Sequence, residues 1–246
     1  MRDDREKERM KPSRSIMRGI PGDAARRMGV HRIIVPTLGF GVLFGLGVGS
    51  VLGAVGFVSW GSGTGLIVFS VLGLALYVHY LPKWVYGYFK GARGEEVVAG
   101  ELSRLPGEWT IFNGVYLPTG KDVDHIAIGP QGIFIIETKY WKGEVSVGNG
   151  QILAEGRVVS RSPIVQVRHA LRAIAEVAEV DVNALRGVLC FAGHQFAGNP
   201  VEVDEILVCS HQDLIKLISS GATVLDAPTI ARVVAHLGGL TVIEGL

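Results

Sequence analysis

Asp122-Val123-Asp124-His125-Ile126-Ala127-Ile128-Gly129-Pro130-Gln131-Gly132-Ile133-Phe134-Ile135-Ile136-Glu137-Thr138-Lys139 is the stretch from which the fold of this chain is read. Two apolar, β-branched runs flank Gly129-Pro130-Gln131-Gly132, a composition that turns a chain between strands, so the stretch reads as a tight β-hairpin. Side chains two apart on a strand share a face. Ile133, Ile135, Glu137 and Lys139 therefore lie together, while Phe134, Ile136 and Thr138 face the other way. Both faces stay apolar until the strand ends, as in a strand covered on both sides. On the partner strand Asp122, Asp124, Ile126 and Ile128 form one face. Antiparallel pairing brings the start of that strand beside the end of the other, which places Asp124 near Glu137 and Lys139.

Carboxylates that converge at the edge of an apolar sheet repel one another unless a cation or a proton sits between them. A hard divalent cation with oxygen ligands is the simplest solution. On the residues alone a second reading stays open, in which Glu137 and Lys139 are solvated groups at a strand end and Asp122 and Asp124 belong to a turn after Gly120.

Asp122 to Ile126, followed by Gly129 to Gly143 (Gly-Pro-Gln-Gly-Ile-Phe-Ile-Ile-Glu-Thr-Lys-Tyr-Trp-Lys-Gly), closely resembles the core of the nuclease-related domain family, NERD. That family is grouped with the restriction-endonuclease-like nucleases of the PD-(D/E)xK superfamily. The likeness begins at Gly91-Ala92-Arg93-Gly94-Glu95 and extends at least to Gln166. It implies an α/β fold, a restriction-endonuclease-like mixed sheet flanked by helices, and metal-assisted hydrolysis of nucleic-acid phosphodiester bonds, DNA before RNA. Carried over residue by residue, it implies a catalytic set of Glu95, Asp124, Glu137, Lys139 and Gln166. Asp124, Glu137 and the Thr138 carbonyl would hold Mg²⁺ or Mn²⁺, and Lys139 would orient water or stabilise developing charge. Asp122 is read as a turn residue. A non-catalytic, membrane-tethered interaction module with the same fold is the alternative.

Outward from the hairpin, the composition explains why a further architecture precedes this domain. Hydrophobic residues make up 48% of the 246 and charged residues 19%, below the roughly 25% of soluble domains. Residues 1–32 hold ten Lys or Arg against five acids and show no apolar periodicity, so a mostly disordered basic cytoplasmic tail is expected. No charged residue occurs from Ile33 to Val58, and a second uncharged run goes from Gly65 to Leu81. Each is long enough to cross a hydrocarbon core of about 30 Å, which gives a two-helix transmembrane hairpin within residues 33–89. Its connection is Ser59 to Thr64. Basic residues before the first run and after the second put both termini in the cytoplasm. The first run is too long, and too soon followed by another, for a cleaved signal peptide. Gly41, Gly45, Gly49 and Gly53 line one helical face, read as packing against the second helix around Gly73, with helix self-association as the alternative. Trp84, Tyr86, Tyr88 and Phe89 form an aromatic belt at the bilayer surface.

Residues 94–246 have the composition of a globular α/β domain, with a core over 94–192 and a C-terminal strand and helices over 193–246. A helix is expected over Glu95 to Leu105, where a Glu favourable to the dipole at the helix start is the alternative to a catalytic Glu95, and a strand over Trp109 to Tyr116. Short β segments broken by glycines run from Gly143 to Val159. Ser162-Pro163 opens a helix as N-cap and first position, and Ile164, Val167, Leu171, Ile174 and Ala178 form its buried stripe. Strands follow at Arg186–Phe191 and Glu205–Ser210, then helices near Gln212–Ser219 and Pro228–Leu237. His125 should point away from the carboxylates as a structural histidine, and no zinc-like histidine spacing or Gly-rich phosphate loop occurs. From Gly94 onward there are eleven Lys or Arg against eighteen Asp or Glu, a net of −7. Tight duplex binding draws on basic residues, and here Arg157, Arg161, Arg168 and Arg172 are the candidates to supply them.

Overall fold

The computed structural model describes residues 14–51, 60–117, 122–160, 162–193, 196 and 198–241. They fall into two units, one built from the segment ending at Asp23 together with Gly91 onward, the other from Ala24 to Lys90.

The hairpin forms as its turn chemistry requires. Strands β3 (Asp122–Gly129) and β4 (Gly132–Lys139) pair antiparallel from Gly129↔Gly132 to His125↔Ile136, which leaves Pro130 and Gln131 as a two-residue loop. A side chain at Gly129 would run into the Trp109 ring. Around the hairpin a seven-stranded mixed sheet has the order β1-β2-β3-β4-β8-β10-β9. Here β1 is Ile16–Arg18, β2 Thr110–Tyr116, β8 Leu185–Phe191, β9 Val201–Val203 and β10 Ile206–Ser210. A separate three-stranded sheet comprises β5 (Val145–Gly148), β6 (Gln151–Ala154) and β7 (Arg157–Val158), the glycine-broken segment read from the sequence. Strand β8 runs parallel to β4, a pairing that needs a crossover, and helix α3 (Pro163–Ala178) lies within that connection.

Both faces of the sheet are covered, as the apolar runs require. On one, Ile126, Ile128, Ile133 and Ile135 pack with the α3 stripe Ile164, Val167, Leu171, Ile174 and Ala178, and with Val233 and Leu237 of α5 (Ala227–Thr241). On the other, Ala127, Phe134 and Ile136 meet Val98 and Leu102 of α2 (Trp60–Leu102) and Leu214 and Ile218 of α4 (His211–Ser219). Ser162 holds the N-cap position of α3 with Pro163 in the first turn, although its side chain makes no capping hydrogen bond. Cys190 and Cys209 are buried free thiols opposite each other on β8 and β10.

The N-terminal region departs from expectation. The segment 14–22, expected to be disordered, is ordered: β1 pairs in parallel with β2, and Ser15 donates from its amide to the Leu105 carbonyl and from its hydroxyl to the Leu102 carbonyl. An open strand edge supplied the partner that composition alone did not reveal. The first apolar helix, α1 (Asp23–Val51), starts ten residues earlier than the apolar run and takes in Arg26, Arg27 and Arg32. Helix α2 does not stop near Leu81 but continues to Leu102, absorbing both the aromatic belt and the separate helix expected from Glu95. Isolated glycines such as Gly91 and Gly94 weaken a helix without ending it. The expected connection is helical from Trp60 on, and residues 52–59 lie outside the described part, as do the turn at 118–121 and residues 1–13. Both helices are long and apolar enough to cross a membrane. In that unit the close helix contacts lie at Gly47, against Ile67 and the Gly63 carbonyl, and at Gly73, against the Phe40 ring. No atom approaches the positions a side chain would take at Gly41 and Gly45, so that part of the glycine stripe does not make the contact expected of it.

Candidate functional site

The C-terminal end of β4 gathers the candidate site residues, at the edge where parallel β4 and β8 leave the sheet beside the start of α3. In sheets with parallel strands and covering helices, ligands bind beyond such carboxyl ends. Pairing of β3 with β4 ends at His125↔Ile136. Two residues further along β4, the Thr138 amide donates to Asp124 Oδ2 at 2.7 Å, so a side-chain carboxylate takes this amide near the strand's end. Asp124 and Glu137 thus come to the same place, as the hairpin register requires. Glu137 is 4% exposed, and Lys139 Nζ donates to its Oε1 at 2.5 Å and to Gln166 Oε1 on α3 at 3.1 Å. Glu95 reaches the cluster from α2, where its Oε2 accepts the Gly22 amide at 2.8 Å. It lies well inside that helix rather than at its N-terminus, which removes the alternative dipole role.

The electrostatics are those of carboxylates crowded out of water. Burial raises Glu95 to about 7, with Asp122 and Glu137 adding repulsion against the lowering effect of the Gly22 amide. Burial, then Glu137 and Glu95, hold Asp124 well above the usual carboxylate range. Glu137 is also raised by burial, with Lys139 opposing. Lys139 pairs directly with Glu137 and lowers the proton affinity of Glu95 and Asp124 only through its field. The donors fit a hard divalent cation in type and in charge. Among the described residues, however, no three His, Cys, Asp or Glu side chains converge closely enough to form a metal cage. Thr138 is buried and its hydroxyl has no hydrogen-bond partner.

Beside the cluster opens a cleft of about 850 Å³, lined by Asp122 and Glu137 on the sheet side and by Gln166, His169, Arg172 and Glu176 along α3. Asp122 is not a turn residue but the first residue of β3, close enough to raise the proton affinity of Glu95 and Glu137. The strand alternation that placed Asp124 on this side places Asp122 there too, so the signal was present in the sequence. Ser160 and Glu176, also in the wall, carried none. Of the four arginines expected to gather here, Arg172 lines the cleft and Arg168 pairs with Asp204 at 3.3 Å. Arg157 sits on β7, and Arg161 lies outside the described residues. His125 is fully buried, its Nδ1 2.8 Å from Asn113 Oδ1, and burial pushes it down to about 3. It is a neutral core residue, as expected.

Comparison with known proteins agrees with this reading at the level of the domain. Residues 90–192 match the family model described as NERD, nuclease-related domain. An uncharacterized protein of Bacillus anthracis is 35% identical over 69 residues, 26% of this chain and 30% of that protein, so the match covers under a third of the relative's length. No solved structure matches.

Proposed function

From the premise that residues 90–192 carry a nuclease-related domain, we propose that this chain is a membrane-anchored, divalent-metal-dependent nuclease hydrolysing phosphodiester bonds, with DNA as the first candidate substrate. The observation that carries the reading is the buried Glu137–Lys139 pair at the wall of a cleft, with Asp124 bonded to the adjoining Thr138 amide and Glu95 near enough to feel the charges of Glu137 and Lys139. Asp124 and Glu137, with the Thr138 carbonyl, are the groups that would hold Mg²⁺ or Mn²⁺. Such an ion, when bound, lowers the pKa of water and offsets charge on the phosphate. Lys139, steadied by Gln166, provides a fixed positive group for the charge that develops at phosphorus or for the attacking water. His169 and Arg172 extend along α3 as donors for the phosphates of a bound strand. The apolar helices α1 and α2 would anchor the chain with both termini on the cytoplasmic side.

Full-length chain in detergent micelles, given Mg²⁺ and single- or double-stranded DNA or RNA, is expected to cleave. Lys139→Ala should lose this activity by about 10²-fold or more with its circular dichroism unchanged. Equal rates for the two proteins refute the assignment. A second reading, a membrane-tethered interaction module, is favoured by the net charge of −7 from Gly94 onward and by the Lys139 ammonium already closed on Glu137. Calorimetry separates the two: Mn²⁺ affinity abolished by Asp124→Asn supports the nuclease, and no affinity in the parent supports the module.

A further inference from the structure

We propose that the segment from Ser15 to Gly22, ahead of the first apolar helix, is part of the carboxylate site, its last amide serving as the positioning group for Glu95. The inference rests on the proposed nuclease only for its kinetic consequence. Its structural content stands by itself.

Three observations converge on it. The segment is fastened at its start by the Ser15 bonds to Leu102 and Leu105 and along β1 by pairing with β2. At its end Gly22 has φ +75, and a Cβ there would lie 2.7 to 2.9 Å from Ala92 Cβ, Cα and O. Only glycine fits this left-handed conformation at such close approach. The Gly22 amide then meets Glu95 Oε2 at 2.8 Å, 73 residues away in sequence. A carboxylate on a helix has several rotamers, and in this site repulsion from Asp122 and Glu137 would drive it outward toward water. A backbone donor at fixed position opposes that and holds Glu95 in the cluster. The donor lies in the turn that follows β1, four residues beyond the last paired residue Arg18, whose carbonyl is itself held by Asn113 Nδ2, and a donor so fastened is what a positioned site requires.

Two measurements on the full chain in micelles decide the matter. Hydrogen exchange followed by mass spectrometry should find residues 15–22 protected, with protection at Gly22 reduced at least tenfold in Glu95→Ala. Exchange of this segment at the rate of an unstructured peptide overturns the inference whether or not the protein is an enzyme. In kinetics, Gly22→Ala should lower kcat about tenfold with KM unchanged, and by less than twofold in the Glu95→Ala background. Equal losses in the two backgrounds would mean that Gly22 acts only on folding. Should Gly22→Ala fail to fold, Ser15→Ala loosens the same strap at its far end, at the Leu102 carbonyl and away from the carboxylates, and should give the same non-additive pattern at smaller amplitude. If the parent neither cleaves nor binds Mn²⁺, the nuclease reading fails while exchange still decides the role of the segment.

Discussion

A carboxyl group that holds its proton more tightly when folded than when unfolded makes folding dependent on pH in a direction opposite to most acidic residues. Glu95 is such a group, raised from 4.5 to about 7 chiefly by burial. Between these values the folded chain binds more protons than the unfolded one, so stability falls as pH rises through the window. His125 has the opposite sign. Lowered from 6.5 to about 3 by burial, it binds fewer protons folded than unfolded, and its contribution is lost as pH falls below 6.5. The parent curve also contains Asp124 and Glu137, both raised by burial, and comparison with Glu95→Gln isolates the part that depends on Glu95. In chelator, Glu95→Gln is expected to be more stable than the parent by about 1–3 kcal/mol at pH 8, with the advantage shrinking toward pH 5. Thermal unfolding at several pH values reads this directly, and a pH-independent difference would mean that folding does not raise the proton affinity of Glu95. Adding Mn²⁺ at pH 8 should stabilise the parent and leave Asp124→Asn unmoved.

Among the elements, the approach of α2 to the end of β4 decides whether Glu95 reaches the cluster at all. Gly94 makes that approach possible, since a Cβ there would lie 2.8 Å from Tyr140 Cβ and 3.5 Å from Thr138 Cγ2. Gly94→Ala should therefore cost stability, about 1–3 kcal/mol by overpacking, and lower cleavage further than stability explains. On the other face, Ile174→Ala removes a fully buried side chain of α3 and should cost about 2–5 kcal/mol with the residual activity of folded protein unchanged. A parental melting temperature in either variant contradicts the packing described. The α3 stripe and the hairpin were legible in the sequence because each rests on a period, 3.6 for Ile164 to Ala178 and 2 for Ile133 to Lys139. The same alternation made Asp124, Glu137 and Lys139 legible as one group. Glu95 was legible by resemblance but not in its surroundings. Its neighbours Gly22 and Asp122 come from a segment without periodicity and from a strand start that reads equally as a turn. The boundaries of α2 were not legible either, because a membrane-length apolar run and an amphipathic run share one helix, and the residues between them, 82–94, include the glycines Gly87, Gly91 and Gly94 that read as a break.

At the scale of the whole chain, the globular unit is interrupted in sequence, since residues up to Asp23 belong with Gly91 onward and the apolar helices occupy 24–90. A fragment starting at Gly91 would lack β1, expose the edge of β2 and leave Glu95 without its amide donor. Such an edge is a template for aggregation. Because Gly22 packs directly on Ala92, the two ends that flank the apolar helices are neighbours within the unit, and a flexible linker of about four residues spans them at this distance. A chain in which residues 24–90 are replaced by such a linker is expected to be soluble without detergent, to melt cooperatively and to keep the Mn²⁺ affinity of the parent. The Gly91 fragment should melt lower or aggregate. The full chain, by contrast, should stay with membranes through an alkaline wash that strips peripheral proteins, because each apolar helix suffices to cross the hydrocarbon layer. Release of the full chain by that wash would remove the anchor from the proposed function. A Gly91 fragment as stable as the linked chain would mean that β1 contributes nothing, and the site would then have to hold Glu95 by other means.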